Sequence, residues 1–321
     1  MERSPASQVD DLQSVAADIR SAVRTVIEGK PEAIELALVA LFASGHLLIE
    51  DVPGVGKTML AKALARSIDG TAQRIQFTPD LLPSDITGVS IFNAERRAFE
   101  FKPGGVFANV VIGDEINRAS PKTQSALLEA MEERQVTVDA ITHPLPDPFL
   151  VVATQNPIEM EGTYPLPEAQ RDRFMLRISM GYPVRAAEIA MLDHHGGGDP
   201  LAELRPVTDA ATVSRLAAGV RSIYVHHAIK DYLVAVLEAT RRSPDVRLGG
   251  SPRAGLQLLR ACKAYAVLQG RHYVIPDDVQ RLAGPALAHR ILLSPAAQLA
   301  RRGVDEVVQA AVDGVPVPDR D

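Results

Sequence analysis

Residues 47–66 read LLIEDVPGVGKTMLAKALAR, and the interpretation of the chain begins from this stretch. It opens with an apolar run typical of a buried parallel strand, breaks at a Pro/Gly turn and continues as residues that favour a helix. Gly54 and Gly56 allow backbone N–H groups to curl around an anion, and the helix that begins near Lys57 directs its positive end to the same place. The stretch therefore predicts a phosphate-binding loop, with a chance Gly-Lys-Thr after a buried strand as the alternative.

The predicted loop departs from the usual pattern at its first position. The motif G-x-x-x-x-G-K-[ST] has glycine where this chain has Asp51. Because a carboxylate that faces phosphate is unfavourable, we expect the Asp51 side chain to turn away from the nucleotide. Lys57 is expected to reach the β- and γ-phosphates, and the Thr58 hydroxyl is expected to ligate Mg²⁺. The residues predicted to contact the nucleotide are Asp51, Val52, Pro53, Gly54, Val55, Gly56, Lys57, Thr58 and Met59.

Size and composition limit the classes of protein to which the chain can belong. Its 321 residues suffice for two domains, and 46% apolar but only 4% aromatic residues predict a core of packed helices and parallel strands. The formal net charge of −6 disfavours a general nucleic-acid-binding surface. Cys262 is the single cysteine, which excludes an intrachain disulfide and a cysteine-based zinc site. A polar start without a secretory signal, and no apolar run of ~20 residues, predict a cytoplasmic protein without a membrane span.

Strand and helix patterns divide the chain into an α/β part and a helical part. In the first part, strands alternate with helices, which predicts a parallel sheet whose ligand-binding edge is formed by the carboxyl ends of its strands. Two pairs of short alternating runs, at residues 89–101 and 135–142, predict β-hairpins. The predicted units are an N-terminal helix within residues 1–30, an α/β nucleotide-binding core over 31–185, a linker over 186–200 and a helical lid over 201–321.

Polar residues stand at the ends of two further predicted strands. Asp114 and Glu115 end the apolar strand predicted over residues 109–115, and Asn156 stands at the end of the strand predicted over residues 149–154. Phosphoryl transfer to water requires a metal and a positioned water, so Asp114 suits a residue that holds Mg²⁺ and Glu115 suits a general base. Asn156 is expected to hydrogen-bond the attacking water or the γ-phosphate. Taken singly, the acids could solvate a strand end and Asn156 could be a turn residue.

Taken together in chain order, these segments resemble the MoxR branch of the AAA+ ATPases. The resemblance covers nearly the whole chain after the first helix. It implies the α/β class with a P-loop NTPase parallel sheet (the AAA+ core), β-hairpin insertions and a small all-helical lid domain. The segments that carry it are Asp51–Thr58, Asp114–Ala119, Ala153–Pro157, Leu166–Phe174 and Ser251–Ala254.

The resemblance implies roles that the patterns alone do not assign. By it, Asn156 is sensor 1, and Arg253, which opens a lid helix, is sensor 2 and contacts the γ-phosphate. Arg173 resembles an arginine finger that reaches into the site of an adjacent subunit, where it can be worth about 10³–10⁵ in rate. Arg171 stands where the family usually has an apolar residue, so the finger is either Arg171 or Arg173. Taken singly, either arginine is more often a surface charge.

Cofactors, partners and an activity follow from the same resemblance. ATP and Mg²⁺ are the expected cofactors, and the family is similar in forming rings, commonly hexamers, with ATP between neighbouring subunits. The expected activity is ATP-driven remodelling of a protein client, with a von Willebrand A-domain protein as partner and no direct contact with nucleic acid. The alternatives are a nucleotide-gated binding module with negligible turnover and a nucleic-acid motor.

Overall fold

The structure, a computed structural model, describes residues 5–156, 163–186, 188–189 and 199–318. The linker predicted over residues 186–200 lies largely outside this part, as does Pro157. The helices are α1 (Pro5–Arg24), α2 (Pro31–Phe42), α3 (Lys57–Ser67), α4 (Pro83–Thr87), α5 (Pro121–Glu133), α6 (Glu168–Arg171), α7 (Pro200–Glu203), α8 (Ala210–Val220), α9 (His227–Arg242), α10 (Pro252–Leu268), α11 (Pro276–Leu287), α12 (Pro295–Leu299) and α13 (Val304–Asp313). The strands are β1 (Leu47–Glu50), β2 (Ala72–Gln76), β3 (Gly88–Asn93), β4 (Ala98–Pro103), β5 (Val110–Asp114), β6 (Gln135–Val138), β7 (Ile141–Pro144), β8 (Leu150–Gln155), β9 (Leu176–Ile178), β10 (Val246–Leu248) and β11 (Leu292–Leu293).

Within the described residues, five parallel strands form the central sheet in the order β2-β5-β8-β1-β9. The register places Glu50 beside Gln155, and Gly113 beside Ala153. Because all five strands run in one direction, their carboxyl ends meet at one edge of the sheet and their amino ends at the other. The predicted parallel α/β sheet is confirmed, and the predicted site residues lie near one or the other of its two edges.

Side chains alternate between the two faces of this sheet, and each face packs on different helices. Leu47 and Ile49 of β1 are fully buried in a cluster that includes residues of α1, α2, α3 and the lid. Leu48 is also fully buried but belongs to the cluster on the other face, with residues of α5. Since both faces are covered, the strands are apolar runs rather than alternating sequences.

Both predicted hairpins are present, and they pack against each other. Strand β3 pairs with β4, and β6 pairs with β7, each pair antiparallel. The Phe101 ring stacks on the His143 ring, with their centroids 3.8 Å apart. Phe92 and Phe99 meet edge to face at 5.4 Å, and Phe99 is 74% exposed. We refer to residues 88–103 and 135–144 as the hairpin unit; it presents apolar side chains to solvent.

The lid, α8 to α13, is helical except for one short antiparallel pair, β10 with β11. The sequence analysis did not predict this pair, because strands of two or three residues carry no periodic signal. The lid helices predicted from periodicity, among them the one that carries Arg253, are present. No described helix combines the length and the apolar character needed to cross a bilayer.

A buried ion pair fastens the lid to the sheet. Arg290, which follows α11, is only 4% exposed, and its Nε donates to Asp172 Oδ1 at 2.8 Å. One Nη donates to the Phe174 carbonyl at 2.5 Å and to Gln257 Oε1 at 2.7 Å. Burial lowers the pKa of Arg290 to about 10, and the Asp172 carboxylate opposes that shift. The lid is therefore anchored to the segment that leads into β9.

We predict that Arg290→Met lowers the free energy of unfolding by about 3 kcal/mol, because removing one partner of a buried pair leaves the other uncompensated. Arg242→Met is the matched control: Arg242 pairs with Glu238 at the surface, where such a pair contributes less than about 1 kcal/mol. Urea denaturation followed by circular dichroism measures both. Equal losses in the two variants would contradict the anchoring role of Arg290.

Candidate nucleotide-binding site

The loop between β1 and α3 has the geometry of an anion cradle. Gly54 and Gly56 have φ angles of +82° and +91°, a left-handed conformation that side-chain-bearing residues rarely adopt. A Cβ on Gly54 would meet no atom within 4 Å, so the space beside this residue is open and its positive φ is what favours glycine here. Gly56 is the N-cap of α3, whose first N–H groups have no intrahelical partner. Lys57 opens the helix, and its Nζ donates to the Asp51 carbonyl at 2.8 Å across the loop.

Asp51, the unusual first residue of the loop, is engaged by another part of the protein. Its Oδ2 accepts from the Met180 and Gly181 N–H groups, both at 2.6 Å, and from the Ser179 hydroxyl at 2.9 Å. Its Oδ1 accepts from the Val52 N–H at 2.8 Å. Burial would raise the pKa of Asp51, but these hydrogen bonds outweigh it and lower the pKa below its usual value. The carboxylate thus ties the phosphate loop to the segment after β9, as expected for a side chain turned away from phosphate.

The two acids at the end of β5 are held by one threonine of the neighbouring strand. The Thr154 hydroxyl, fully buried, donates to Asp114 Oδ1 at 2.6 Å and accepts from the Glu115 N–H at 3.0 Å. Glu115 has φ +58° and ψ +48°, a left-handed conformation of the kind that surrounding structure must enforce and that clusters at functional sites. Thr154 therefore fixes both the carboxylate of Asp114 and the backbone of Glu115.

Cationic and amide side chains complete the surroundings of these acids. Arg74 donates to Asp114 Oδ2 at 2.7 Å, and the Asp114 side chain is 14% exposed. Gln76 donates to Glu115 Oε2 at 2.9 Å, and the Arg118 Nε lies 3.2 Å from the same oxygen. The acids are accordingly positioned and charge-balanced in the isolated subunit.

Strand order brings the remaining polar residue between the loop and the acids. Asn156, 8% exposed, directly follows β8, which lies between β1 and β5. Adjacent strands are about 4.8 Å apart, so the phosphate loop and Asp114 are separated by roughly two strand spacings, with Asn156 in the middle. The Thr58 hydroxyl and the Asp114 carboxylate are the oxygen donors that Mg²⁺ prefers, so this edge fits a metal–triphosphate.

Arg173 and Arg253 lie at the opposite edge of the sheet. Both contact Glu132 near the end of α5: Arg173 Nε lies 3.1 Å from Glu132 Oε2, and an Arg253 Nη bonds Glu132 Oε1. They line a cavity of about 290 Å³ together with Gly45 and His46, the residues just before β1. Since the phosphate loop comes directly after β1, neither arginine is brought to the loop of its own chain.

This opposite-edge cavity is strongly basic. Its lining includes Arg134, Arg173, Arg253 and Arg260, whereas Glu132 is the single carboxylate among the described residues that line it. His46, also in the lining, accepts from the Val151 N–H at Nδ1, and burial lowers its pKa to about 3, so it adds no charge. The excess of positive charge in the cavity therefore suits an anion.

Comparison with known proteins identifies the family to which the chain is related. Residues 46–176 match the ATPase family associated with various cellular activities (AAA), and residues 238–311 match the AAA lid domain. The chain is 49% identical to the uncharacterized protein YeaC of Bacillus subtilis, over 96% of this chain and 97% of that relative. It is 43% identical to Chaperone MoxR1 of Mycobacterium tuberculosis, over 92% of this chain and 80% of that relative. A crystal structure from Cytophaga hutchinsonii superposes with a TM-score of 0.91 at 34% identity, covering 98% of both chains.

The chain belongs to the MoxR family of AAA+ ATPases.

Sequence reasoning missed several residues of this MoxR-family site. Thr154, Arg74 and Gln76 act on the acids from neighbouring strands, and Glu132 and Asp172 organise the arginines at the other edge. A polar residue inside an otherwise apolar strand, such as Thr154, is the sequence signal that could have identified these residues. The structure brings Arg173 rather than Arg171 to the glutamate shared with Arg253, while the buried Arg171 Nε has no hydrogen-bond partner among the described residues.

We predict that Asp51→Asn lowers the free energy of unfolding by about 1–2 kcal/mol at pH 7, because the amide cannot accept all four hydrogen bonds. The pKa of Asp51 is lowered on folding, so the advantage of aspartate is present above the ordinary value of 3.8 and is lost as the pH falls through the lower, folded value. Denaturant titrations at several pH values measure the difference. Asp80→Asn at an exposed position is the control, and a difference between wild type and Asp51→Asn that persists unchanged in acid would contradict this assignment.

Proposed function

We propose that this protein hydrolyses ATP with Mg²⁺ in a ring, commonly a hexamer in this family, and uses the cycle to remodel a protein client. The observation that supports this most directly is that the candidate site residues form two groups, one at each edge of the sheet. The phosphate loop, the acid pair and Asn156 share the carboxyl edge, while Arg173 and Arg253 share the amino edge. A complete site then requires two subunits.

Residues of the carboxyl edge act on the subunit's own nucleotide. The loop Asp51–Met59 holds the phosphates, with Lys57 exchanging its contact with the Asp51 carbonyl for phosphate oxygens. Thr58 and Asp114 would hold Mg²⁺, which supplies charge compensation to the triphosphate. Glu115 acts as the general base on the attacking water, and Asn156 orients that water or the γ-phosphate. Thr154 keeps Glu115 aimed, because it binds the backbone of that residue and not its carboxylate.

Residues of the amino edge act on the nucleotide of the neighbouring subunit. Arg173 serves as the arginine finger and Arg253 as the sensor that reads the γ-phosphate, both in trans. Arg253 lies at this edge because the lid that carries it is anchored through Arg290 at the Asp172–Phe174 segment. Two cations that arrive together stabilise the charge of the transferred phosphoryl group.

The hairpin unit is the proposed contact with the client. Its exposed apolar side chains are Val89, Ile91, Phe92, Phe99 and Ile141. Exposed apolar patches of this kind mark protein-binding surfaces. A protein client is thus favoured over nucleic acid, and the family resemblance suggests a von Willebrand A-domain protein as the partner.

We predict that Glu115→Gln abolishes phosphate release while leaving ATP binding within about threefold of wild type, because the amide cannot accept a proton from water. Phosphate release and equilibrium binding of a fluorescent ATP analogue measure the two quantities. The alternative, a nucleotide-gated module, requires that wild type and Glu115→Gln release phosphate equally slowly. The other alternative, a nucleic-acid motor, requires strong stimulation of wild type by DNA.

A mixing experiment tests action in trans. We predict that Arg173→Ala and Arg253→Ala each reduce hydrolysis at least about 100-fold without preventing ATP binding. Glu115→Gln is also inactive but retains both arginines. An equimolar mixture of Arg173→Ala and Glu115→Gln should recover about a quarter of wild-type activity, the fraction of subunit pairs in random rings that join an intact base to an intact finger. No recovery would indicate that Arg173 acts within its own subunit.

A further inference from the structure

Glu132 occupies a position that the proposed reaction leaves unexplained. It lies near the end of α5, and its two carboxylate oxygens separately contact Arg173 from the core and Arg253 from the lid. These arginines are 41 and 121 residues further along the chain, so the bridge is a product of the fold and not of local sequence. One carboxylate holds together the two cations that are proposed to act on a neighbour's γ-phosphate.

The chemistry of this bridge matches that of a terminal phosphate. Guanidinium groups bind carboxylate and phosphate oxygens by the same charge-assisted hydrogen bonds. Within the cavity, Glu132 offers the arginines two oxygens, as a γ-phosphate would, and no other carboxylate from the described residues reaches the lining. Carboxylate and incoming phosphate would therefore compete for the same pair of cations.

We propose that Glu132 is a positioning residue that holds Arg173 and Arg253 as a preformed pair in the separate subunit and releases them to the neighbour's γ-phosphate. The inference rests on the function proposed above. It makes Glu132 an internal substitute for that phosphate: the carboxylate occupies both guanidinium groups in the separate subunit and so sets a threshold for ring formation.

Solvent exposure distinguishes the Glu132 bridge, whose ion pairs can exchange partners, from the Arg290–Asp172 pair, which stays in place. The side chains of Glu132, Arg173 and Arg253 are 35%, 29% and 41% exposed, and ion pairs at such sites are weak enough to be replaced. The Arg290 side chain is only 3% exposed in its pair with Asp172. The guanidinium groups of the bridge are thus free to change partner while the buried pair is not.

Asp172 connects the backbones of the two arginines. It directly precedes Arg173, and its carboxylate accepts from the Ser251 hydroxyl at 3.2 Å. Ser251 is the N-cap of α10, the helix that carries Arg253 near its start. The segments that carry the two arginines therefore stay together when the bridge to Glu132 is broken. A γ-phosphate would then bind two guanidinium groups that already lie close enough to contact one anion.

The test is Glu132→Gln, which keeps the size of the side chain and removes its charge. Glu133→Gln, the same change on the next and likewise exposed residue of α5, is the matched control. ATPase activity is measured against protein concentration at saturating ATP. We expect the concentration for half-maximal specific activity to fall about three- to tenfold in Glu132→Gln, with kcat within about twofold of wild type and the control unchanged.

A merely structural bridge between core and lid gives a different result. Glu132→Gln would then lower the melting temperature and kcat and would leave the half-maximal concentration unchanged or raise it, and this outcome overturns the proposal. If Arg173→Ala and Arg253→Ala lose hydrolysis as predicted while Glu132→Gln behaves as the control, the inference fails and the proposed function stands. If those arginine variants retain full activity, the proposed function itself fails.

A second measurement does not depend on ring assembly. In a Lys57→Ala background, which weakens the subunit's own loop, pyrophosphate is titrated as the anion and the shift in melting temperature is recorded. Glu132→Gln should bind pyrophosphate more tightly than Glu133→Gln in that background. Glu132→Asp, too short to reach both arginines at once, should show the same direction with a smaller change, and it serves if Glu132→Gln folds poorly. Binding no tighter than in the control overturns the proposal.

Discussion

The common direction of β1, β5 and β8 is the constraint on which the rest of the structure depends. Parallel pairing gathers every carboxyl end at one edge, so residues far apart in the chain, Lys57, Asp114 and Asn156, converge without any long-range signal in the sequence. The same pairing gathers the amino ends at the other edge, where Arg173 and Arg253 lie. The phosphate loop, Asp114 and Asn156 are separated from Arg173 and Arg253 by the length of a strand, so each subunit on its own has only part of the proposed site.

The features that could be predicted from the sequence are those that short stretches of residues determine on their own. The phosphate loop, the acid pair, both hairpins and the main lid helices follow from glycine placement, apolar periodicity and strand-end polarity, each readable within about fifteen residues. The direction of Asp51 could also be predicted, from the repulsion between carboxylate and phosphate. Its partners could not: Ser179, Met180 and Gly181 are at least 128 residues away, and nothing near Asp51 indicates that β9 ends beside β1.

The placement of the lid was not predictable for a related reason. Periodicity in α10 and α11 identifies apolar faces, but many docking positions would cover such faces. The choice is made by Arg290, whose guanidinium is satisfied only where the Asp172 carboxylate and the Phe174 carbonyl meet it. A buried cation is unfavourable without its partners, so it selects one arrangement among several with similar apolar burial. The sequence motif that contains Arg253 predicts a sensor, whereas the contacts of Arg290 determine at which edge of the sheet Arg253 lies.

The two edges are also electrostatic counterparts. At the carboxyl edge, Asp114 and Glu115 form ion pairs with Arg74 and Arg118. At the amino edge, Arg173 and Arg253 form ion pairs with Glu132. Each subunit therefore folds with its functional charges balanced internally, which avoids the self-repulsion that exposed like charges would cause. In the proposed ring, bringing one subunit's arginines to its neighbour's triphosphate would exchange these internal partners for external ones. Because only differences between the two sets of contacts drive such an exchange, ring assembly can be sensitive to whether the γ-phosphate is present.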